Sequence, residues 1–407
     1  MVVTEKLFSS IYVFGTALAI ASATVFAILI WTEVGPVYPE YQRGRTYYLG
    51  TVFIQGREPN RYISMHPLSY DMVKNNIYQM KNADVISAEY SAWDPFYAKS
   101  EVGPDVEVDM LLTDPAFFDI YSYKFLAGKP FTKADFDSGV ATVVIGDKTA
   151  EKIFGPVRAA DLSGRNVVIN HREYRISGVV REPGAGATHT HAGVIAPYTS
   201  DPESLTGGNN FSVKFLSDDQ EALQGELAEI VARYNNSQDK EEMDMYKQPV
   251  SHYAQTFTYV QDTEFSLMSY AGQMLLILLV LLLVPAMNLS GMISGRMEGR
   301  VVEIGVRKSF GATRGRLLRQ ILWENLILTV AGGVLGYVFA VAMLGMGIGS
   351  LFARSAASFA NGSMSGETLL SPVIFLFSFL VCCLLNLMSA MIPAARSLRH
   401  PIVESLK

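Results

Sequence analysis

The sequence predicts an integral membrane α-helical protein with four transmembrane helices and a large α+β extracytoplasmic domain inserted between the first and second. Three observations carry that expectation. Hydrophobic residues make up 49% of the 407 and charged residues only 18%, with a mean hydropathy of +0.21, which is too apolar for an ordinary soluble globule. Four uncharged runs, 7–31, 265–295, 325–353 and 368–395, each exceed the roughly 20 apolar residues that a helix needs to cross a bilayer. Between the first and second runs, residues 32–264 mix polar and apolar side chains as a water-exposed domain does.

Residues 1–31 form a cytoplasmic N-terminus and first transmembrane helix. Ala21-Ser22-Ala23 has the small-x-small form of a signal-peptide cleavage site, but the apolar run continues beyond it to Trp31. The leader carries only Glu5 and Lys6, so an uncleaved anchor is the better reading.

Within the domain, residues 47–54 alternate as a strand does and end in a Gly-Arg-Glu-Pro-Asn loop. Tyr70, Val73, Ile77 and Met80 recur at helical spacing, which predicts a helix over 67–81, followed by a strand at 85–90. The order returns near the end. A strand at 211–216 precedes a helix whose apolar face is Leu223, Leu227, Ile230, Val231 and Tyr234, and 252–260 reads as a strand. These two units predict an outer α+β subdomain (about 32–105 plus 205–264) around an inserted strand-rich subdomain (about 106–200). In the insert, Gly128, Gly146, Gly155, Gly164 and Gly178 are expected at turns and strand ends. Residues 167–169 and 174–176 are expected to pair across a four-residue loop, 170–173.

The remaining segments are a second transmembrane helix (265–295), a cytoplasmic segment (296–319), a third transmembrane helix (320–351), an extracytoplasmic loop (352–371), a fourth transmembrane helix (372–395) and a cytoplasmic tail (396–407). The second run has 31 residues, about 46 Å as a helix against a hydrocarbon core of about 30 Å, leaving length for a stalk. Orientation follows from basic residues, which are retained on the cytoplasmic side. Segment 296–319 holds seven (Arg296, Arg300, Arg307, Lys308, Arg314, Arg316, Arg319), whereas loop 352–371 holds only Arg354. Residues 32–264 hold 21 basic and 33 acidic residues, a net charge of −12 that argues against a nucleic-acid partner. Both cysteines, Cys382 and Cys383, lie in the fourth run, so the domain has no disulfide framework.

Catalytic signatures are missing. A phosphate loop needs the form GxxxxGK[ST], and Gly128-Lys129 is followed by Pro130. Leu289-Ser290-Gly291 lies inside an apolar run, where small residues serve packing. Neither GxSxG nor HExxH occurs, and Glu173, Glu182 and Asp201 are scattered acids. No catalytic residue and no ATP hydrolysis by this chain are expected. His189-Thr190-His191 has a metal-compatible spacing, but its glycine-rich surroundings and missing third ligand favour a loop, so no metal site is expected. Glu324, near the start of the third span, is a functional candidate by position, though pairing with Arg316 or Arg319 at interface depth is the stronger reading. Pro285, Pro372 and Pro393 mark kinks or termini. Gly332, Gly333 and Gly336 permit close helix packing in the third span.

The basic segment asks for more than a topology signal. Arg300, Arg307 and Arg314 recur every seven residues, Gly311 would interrupt a helix, and Thr313 can cap the next. Apolar Ile304, Val306 and Phe310 are interleaved with the charges, as in a helix that lies at the interface and packs into a partner's groove.

The stretch EIGVRKSFGATRGRLLRQ, 303–320, resembles the coupling segment of the FtsX/MacB family of ABC-transporter permeases. LLTDPAFFDIYSYKFLAGKPFT, VVIGDKTAEKIFG and SGRNVVINHREYRISGVVREP resemble the periplasmic core domain of its MacB-type members. The resemblance covers most of the chain except about 35–105. It implies a permease without a fused ATPase, whose Glu303, Ile304, Gly305, Arg307, Lys308, Phe310, Gly311, Ala312 and Arg314 couple to a separate ABC ATPase. ATP and magnesium would then be bound by that partner and no cofactor by this chain. A second permease copy or paralogue, membrane lipids, and a periplasmic adaptor or outer-membrane channel are the other implied partners. The implied location is the inner membrane, and the implied function is export or efflux by mechanotransmission from ATP hydrolysis to the external domain. Regulation of an external cell-wall hydrolase, as in FtsX-like members, and lipoprotein extraction, as in the Lol system, are the alternatives.

Overall fold

The computed structural model describes residues 6–57, 63–92, 94–100, 103–184, 187, 189–206, 208–257, 266, 268–281, 283, 301–346 and 372–397. They fall into two compact units, one from Met1–Thr32 with Ser266–Lys407 and the other from Glu33–Phe265.

The first unit is helical. Helix α1 (Lys6–Val34) begins the chain. In the second unit the helices are α2 (Tyr70–Asn75), α3 (Phe117–Ile120), α4 (Lys133–Asp137), α5 (Asp147–Phe154), α6 (Ala159–Leu162), α7 (Pro202–Thr206), α8 (Gln220–Ser237) and α9 (His252–Phe257). The chain then returns to the first unit with α10 (Met268–Leu281), α11 (Val301–Ser309), α12 (Arg314–Gly345) and α13 (Pro372–Ser397). Among the described residues, two stretches are long and apolar enough to cross a membrane, Ser10–Val34 and Arg314–Gly345. The expected second and fourth spans are represented by shorter apolar helices, Met268–Leu281 and Val373–Met388. The rest of run 265–295 beyond 283 and the loop 352–371 lie outside the described residues.

Close contact between α1 and α12 depends on glycine. A Cβ at Gly332 would lie 2.9 Å from Thr16, one at Gly336 would lie 2.7 Å from the Ala17 carbonyl oxygen, and one at Gly333 would lie 2.3 Å from the Phe379 ring of α13. Tyr12 and Thr329 share a hydrogen bond of 3.2 Å across the α1–α12 contact. Ile20, Ala23, Leu278 and Cys382 bring α1, α10 and α13 together in one buried cluster.

The second unit is built on sheets. Its strands are β1 (Thr46–Leu49), β2 (Val52–Gly56), β3 (Ile63–His66), β4 (Val85–Tyr90), β5 (Phe96–Lys99), β6 (Val106–Val108), β7 (Met110–Thr113) and β8 (Phe125–Gly128). They continue with β9 (Thr142–Gly146), β10 (Asn166–Ile169), β11 (Arg172–Val180), β12 (Val194–Pro197), β13 (Phe211–Leu216), β14 (Glu241–Asp244) and β15 (Val250–Ser251). The main sheet has the order β15-β1-β13-β4-β7-β12-β9-β11-β10-β5-β6, with β8 added on β11, and the small sheet has the order β14-β2-β3. The β7–β12 and β9–β11 pairs are parallel, and the others are antiparallel. Strands from the expected outer and inserted subdomains therefore share one sheet, joined where β4 pairs β7. They also share one core, which includes Tyr47, Val143, Ile176, Phe211 and Leu227.

Four local expectations need correction. Residues 47–54 are two strands in different sheets, because the Gly50 and Thr51 amides donate to Gln248 Oε1 (2.9 and 3.2 Å) instead of to a neighbouring strand. The 67–81 helix is shorter: Ser69 caps α2 by accepting from the Met72 amide, the helix closes at Asn76, and a 3₁₀ turn follows at Ile77–Gln79. The 252–260 stretch begins as helix α9, with Ser251 Oγ accepting from the Ala254 amide (3.3 Å) as a cap does, and 258–260 lie outside the described residues. The β10–β11 loop holds two residues instead of four, Asn170 (φ 42°) and His171 (φ 68°), because Ile169 pairs directly with Arg172. Positive φ at both positions is the mirror-image turn that matches strand twist.

Candidate functional site

The basic segment folds as a helix, a tight turn and the start of a second helix. Helix α11 ends by pairing the Phe310 amide with the Val306 carbonyl (3.2 Å), the Gly311 amide with Lys308 (3.0 Å) and the Ala312 amide with Arg307 (3.0 Å). Gly311 takes φ +89°, a left-handed conformation in which a side chain would be strained. Thr313 then caps α12 by accepting from the Arg316 amide. Residues 296–300, including Arg296 and Arg300, lie outside the described residues. Arg307 and Arg314 sit on different helices, so the seven-residue repeat does not make one face.

Two faces of α11 differ sharply. Ile304 is 8% exposed and packs with Tyr12, Leu317, Ile321 and Leu328, and Gly305 is buried beside it. Ala312 packs against the same cluster. Opposite, Val302, Val306 and Phe310 are 59%, 41% and 87% exposed. Their spacing of four residues puts them along one side of the helix. Arg307 bridges the two helices: its Nη2 donates to Glu303 (2.5 Å) and its Nη1 to Gln320 (2.9 Å). Glu324 accepts from Gln320 Nε2 (3.2 Å) and shares a small cavity with Glu303 and Arg307. Burial lowers the Lys308 ammonium pKa, with the nearby Arg314 charge acting in the same direction.

Nine expected coupling residues thus divide by environment. Ile304, Gly305 and Ala312 turn inward, Glu303 and Arg307 hold the helix pair together, Gly311 shapes the turn, Lys308 is half-buried, and Phe310 and Arg314 are exposed. Sequence periodicity marked the apolar residues but not which would face outward. In the other unit, His189 and Thr190 lie in a turn, and no group of three His, Cys, Asp or Glu residues able to hold a metal occurs among the described residues.

Comparison with known proteins matches two parts of the chain. Residues 9–241 match the MacB-like periplasmic core domain, and 275–402 match the FtsX-like permease C-terminal domain. The pyoverdine export ATP-binding/permease protein PvdT of Pseudomonas savastanoi pv. phaseolicola is 28% identical over 278 residues, 65% of this chain and 39% of that protein. The macrolide export ATP-binding/permease protein MacB of Nitrobacter winogradskyi is 25% identical over 335 residues, 80% of this chain and 48% of that protein. The ABC transporter permease YknZ of Bacillus subtilis is 25% identical over 295 residues, 72% of this chain and 68% of that protein. The chain spans well under two thirds of the length of the export relatives. With a periplasmic core domain matched over more than half its residues and a permease domain after it, the chain belongs to the MacB/FtsX-like family of ABC-transporter permeases.

Proposed function

We propose that this chain is the permease subunit of an ATP-driven transporter, and that α11 and the turn after it dock on a separate ABC ATPase. The observation that carries this reading is the exposed ridge Val302, Val306 and Phe310 on a helix whose other face is packed against α12 and α1. Three apolar side chains on a short exposed helix gain by entering a partner's groove. The inward packing and the Arg307 bridge tie α11 to α12, so a push on the ridge would reach a long apolar helix without being absorbed in the turn. ATP and magnesium would be held by the partner. The names of the PvdT and MacB relatives speak for export as the outcome, and a second permease copy or paralogue would complete the membrane part.

The ridge can be tested without disturbing the packed face. Val306→Asp with Phe310→Asp puts two charges where a desolvated contact is proposed. The expected result is at least a ~30-fold weaker association with the co-purifying ATPase, the scale of losing a central aromatic anchor, with normal expression and membrane insertion. Gly305→Trp is a poor probe, because Gly305 is buried inside this unit. Gly311→Trp is another, because of the strained φ. A double variant that still binds the ATPase and supports its transport activity would overturn the docking reading.

A further inference from the structure

A buried polar cluster ties together three pieces of the second unit that are far apart in sequence. Glu40 and Arg43 form an ion pair (2.8 Å) with side chains 0% and 2% exposed. The other Glu40 oxygen accepts from the His189 amide (2.8 Å) and the Thr190 hydroxyl (2.9 Å), and Arg43 Nη1 donates to the Gly35 carbonyl (2.8 Å). The His189 ring lies 4.3 Å from the Tyr48 ring and 5.2 Å from that of His252. His252 Nε2 donates to the Glu33 carbonyl (3.3 Å), which makes Nδ1 the acceptor for the Tyr48 hydroxyl (3.4 Å). His252 is therefore held in one neutral tautomer. The cluster joins residues 33–43, where the chain leaves α1, to 252, where α9 leads back towards α10, through the turn at 189–190.

The charges around the rings are already balanced. Facing them are Glu40 and Arg43 from the entry segment, Tyr48 from β1, Tyr121 after α3, Lys214 from β13 and Glu89 from β4. Glu40 is committed to Arg43, and Glu89 to the Lys214 ammonium, which also lies over the Phe117 and Tyr121 rings (5.2 and 5.6 Å). His189 Nε2 is buried with no hydrogen-bond partner among the described residues. A proton on either imidazole adds a third cation to a site with two anions, both engaged.

We infer that Glu40, Arg43, His189 and His252 form a proton-sensitive latch, closed while both imidazoles are neutral and released when they are protonated. Burial, against the pull of Glu40, holds His189 down at about 3. Burial and the Arg43 charge hold His252 down at about 4. An exposed imidazole titrates near pH 6.5. At pH 7 the closed state is neutral and only about a quarter of freed imidazoles carry a proton, so protons favour release weakly. As pH falls below 6.5 the open state takes up protons that the closed state refuses, and release grows until the closed state also titrates near pH 4 to 3. From pH 7 to pH 5 the opening equilibrium should rise ~20-fold for each histidine that is freed, and ~500-fold for both. The physiological setting rests on the proposed extracytoplasmic location; the proton chemistry does not.

Hydrogen exchange of the full chain in phosphatidylcholine nanodiscs, at pH 7 and pH 5 and corrected for intrinsic rates, tests the latch without any ATPase. The expected result is faster opening by these factors in peptides covering 33–43, 187–193 and 248–257, with the β10–β11 hairpin unchanged. His189→Gln with His252→Gln should flatten the pH dependence. Should that pair fail to fold, each single glutamine variant should halve the logarithmic slope seen in the wild type. A flat wild-type profile, an equal acceleration in the hairpin, or single variants with an undiminished slope would each overturn the latch.

Discussion

At the scale of residues, burial decides what an ion pair does, and two arginines two positions apart show it. Arg43 and Glu40 are sealed from water, while Arg45 pairs with Asp84 and Asp218 with side chains 41%, 60% and 77% exposed. Burial pushes the Glu40 carboxyl up, but Arg43, His189 and His252 outweigh it and hold it down at about 2. The stabilisation linked to Glu40 is thus present above about pH 4.5 and lost as pH falls towards 2. Removing the carboxylate strands a buried guanidinium, so Glu40→Gln should destabilise the unit by roughly 3–5 kcal/mol. For a unit of this size that lowers the thermal midpoint by about 10 °C. Asp84→Asn should cost less than about 1 kcal/mol, because water screens its pair. Thermal unfolding of the two variants in parallel checks the contrast, and equal shifts would remove the special status of the buried pair. Sequence reading found no motif at 35–105 because Glu40 and Arg43 look like surface residues. What makes them a site is His189 and His252, about 150 and 210 positions away, and local spacing carries no sign of that.

At the scale of elements, legibility followed how local the cause was. Strands β4 and β13 emerged with their expected bounds, since alternation over six residues needs no tertiary information. Helix α8 and the break at Gly311 were likewise visible from periodicity and a single glycine. The split of 47–54 was not, because its cause is a glutamine amide some 200 residues later. The single sheet through both expected subdomains was hidden for the same reason, since β4–β7 pairing is a non-local choice. Within α12 the glycines make a graded prediction. A methyl at Gly336 meets the Ala17 backbone oxygen, which cannot retreat unless α1 moves, whereas a methyl at Gly333 meets the Phe379 ring, which can turn aside. Gly336→Ala should therefore destabilise the helical unit by about 1–3 kcal/mol and Gly333→Ala by clearly less. Thermal inactivation in detergent reads the order, and a larger loss at Gly333 would show that the α12–α13 contact is the tighter one.

At the scale of the whole molecule, the family assignment and the charge pattern bear on one question, which side of the membrane each unit faces. A family whose matched domain is described as periplasmic speaks for the second unit lying outside only by likeness, so the chain's own charges have to be asked independently. They answer through retention of Lys and Arg on the cytoplasmic side: segment 296–319 carries seven, which predicts it inside, and the net −12 of residues 32–264 has no vote, because large domains translocate regardless of charge. The prediction is that Lys133 is outside and Ser309 inside. Both are exposed, so a cysteine at either position is open to a reagent on its own side. In a background with Cys382→Ala and Cys383→Ala, removing two buried thiols, Lys133→Cys should react with a membrane-impermeant maleimide in intact cells. Ser309→Cys should react only after the membrane is opened. Labelling at 309 but not 133 in intact cells would invert the orientation, and with it remove α11 from the side where ATP is found.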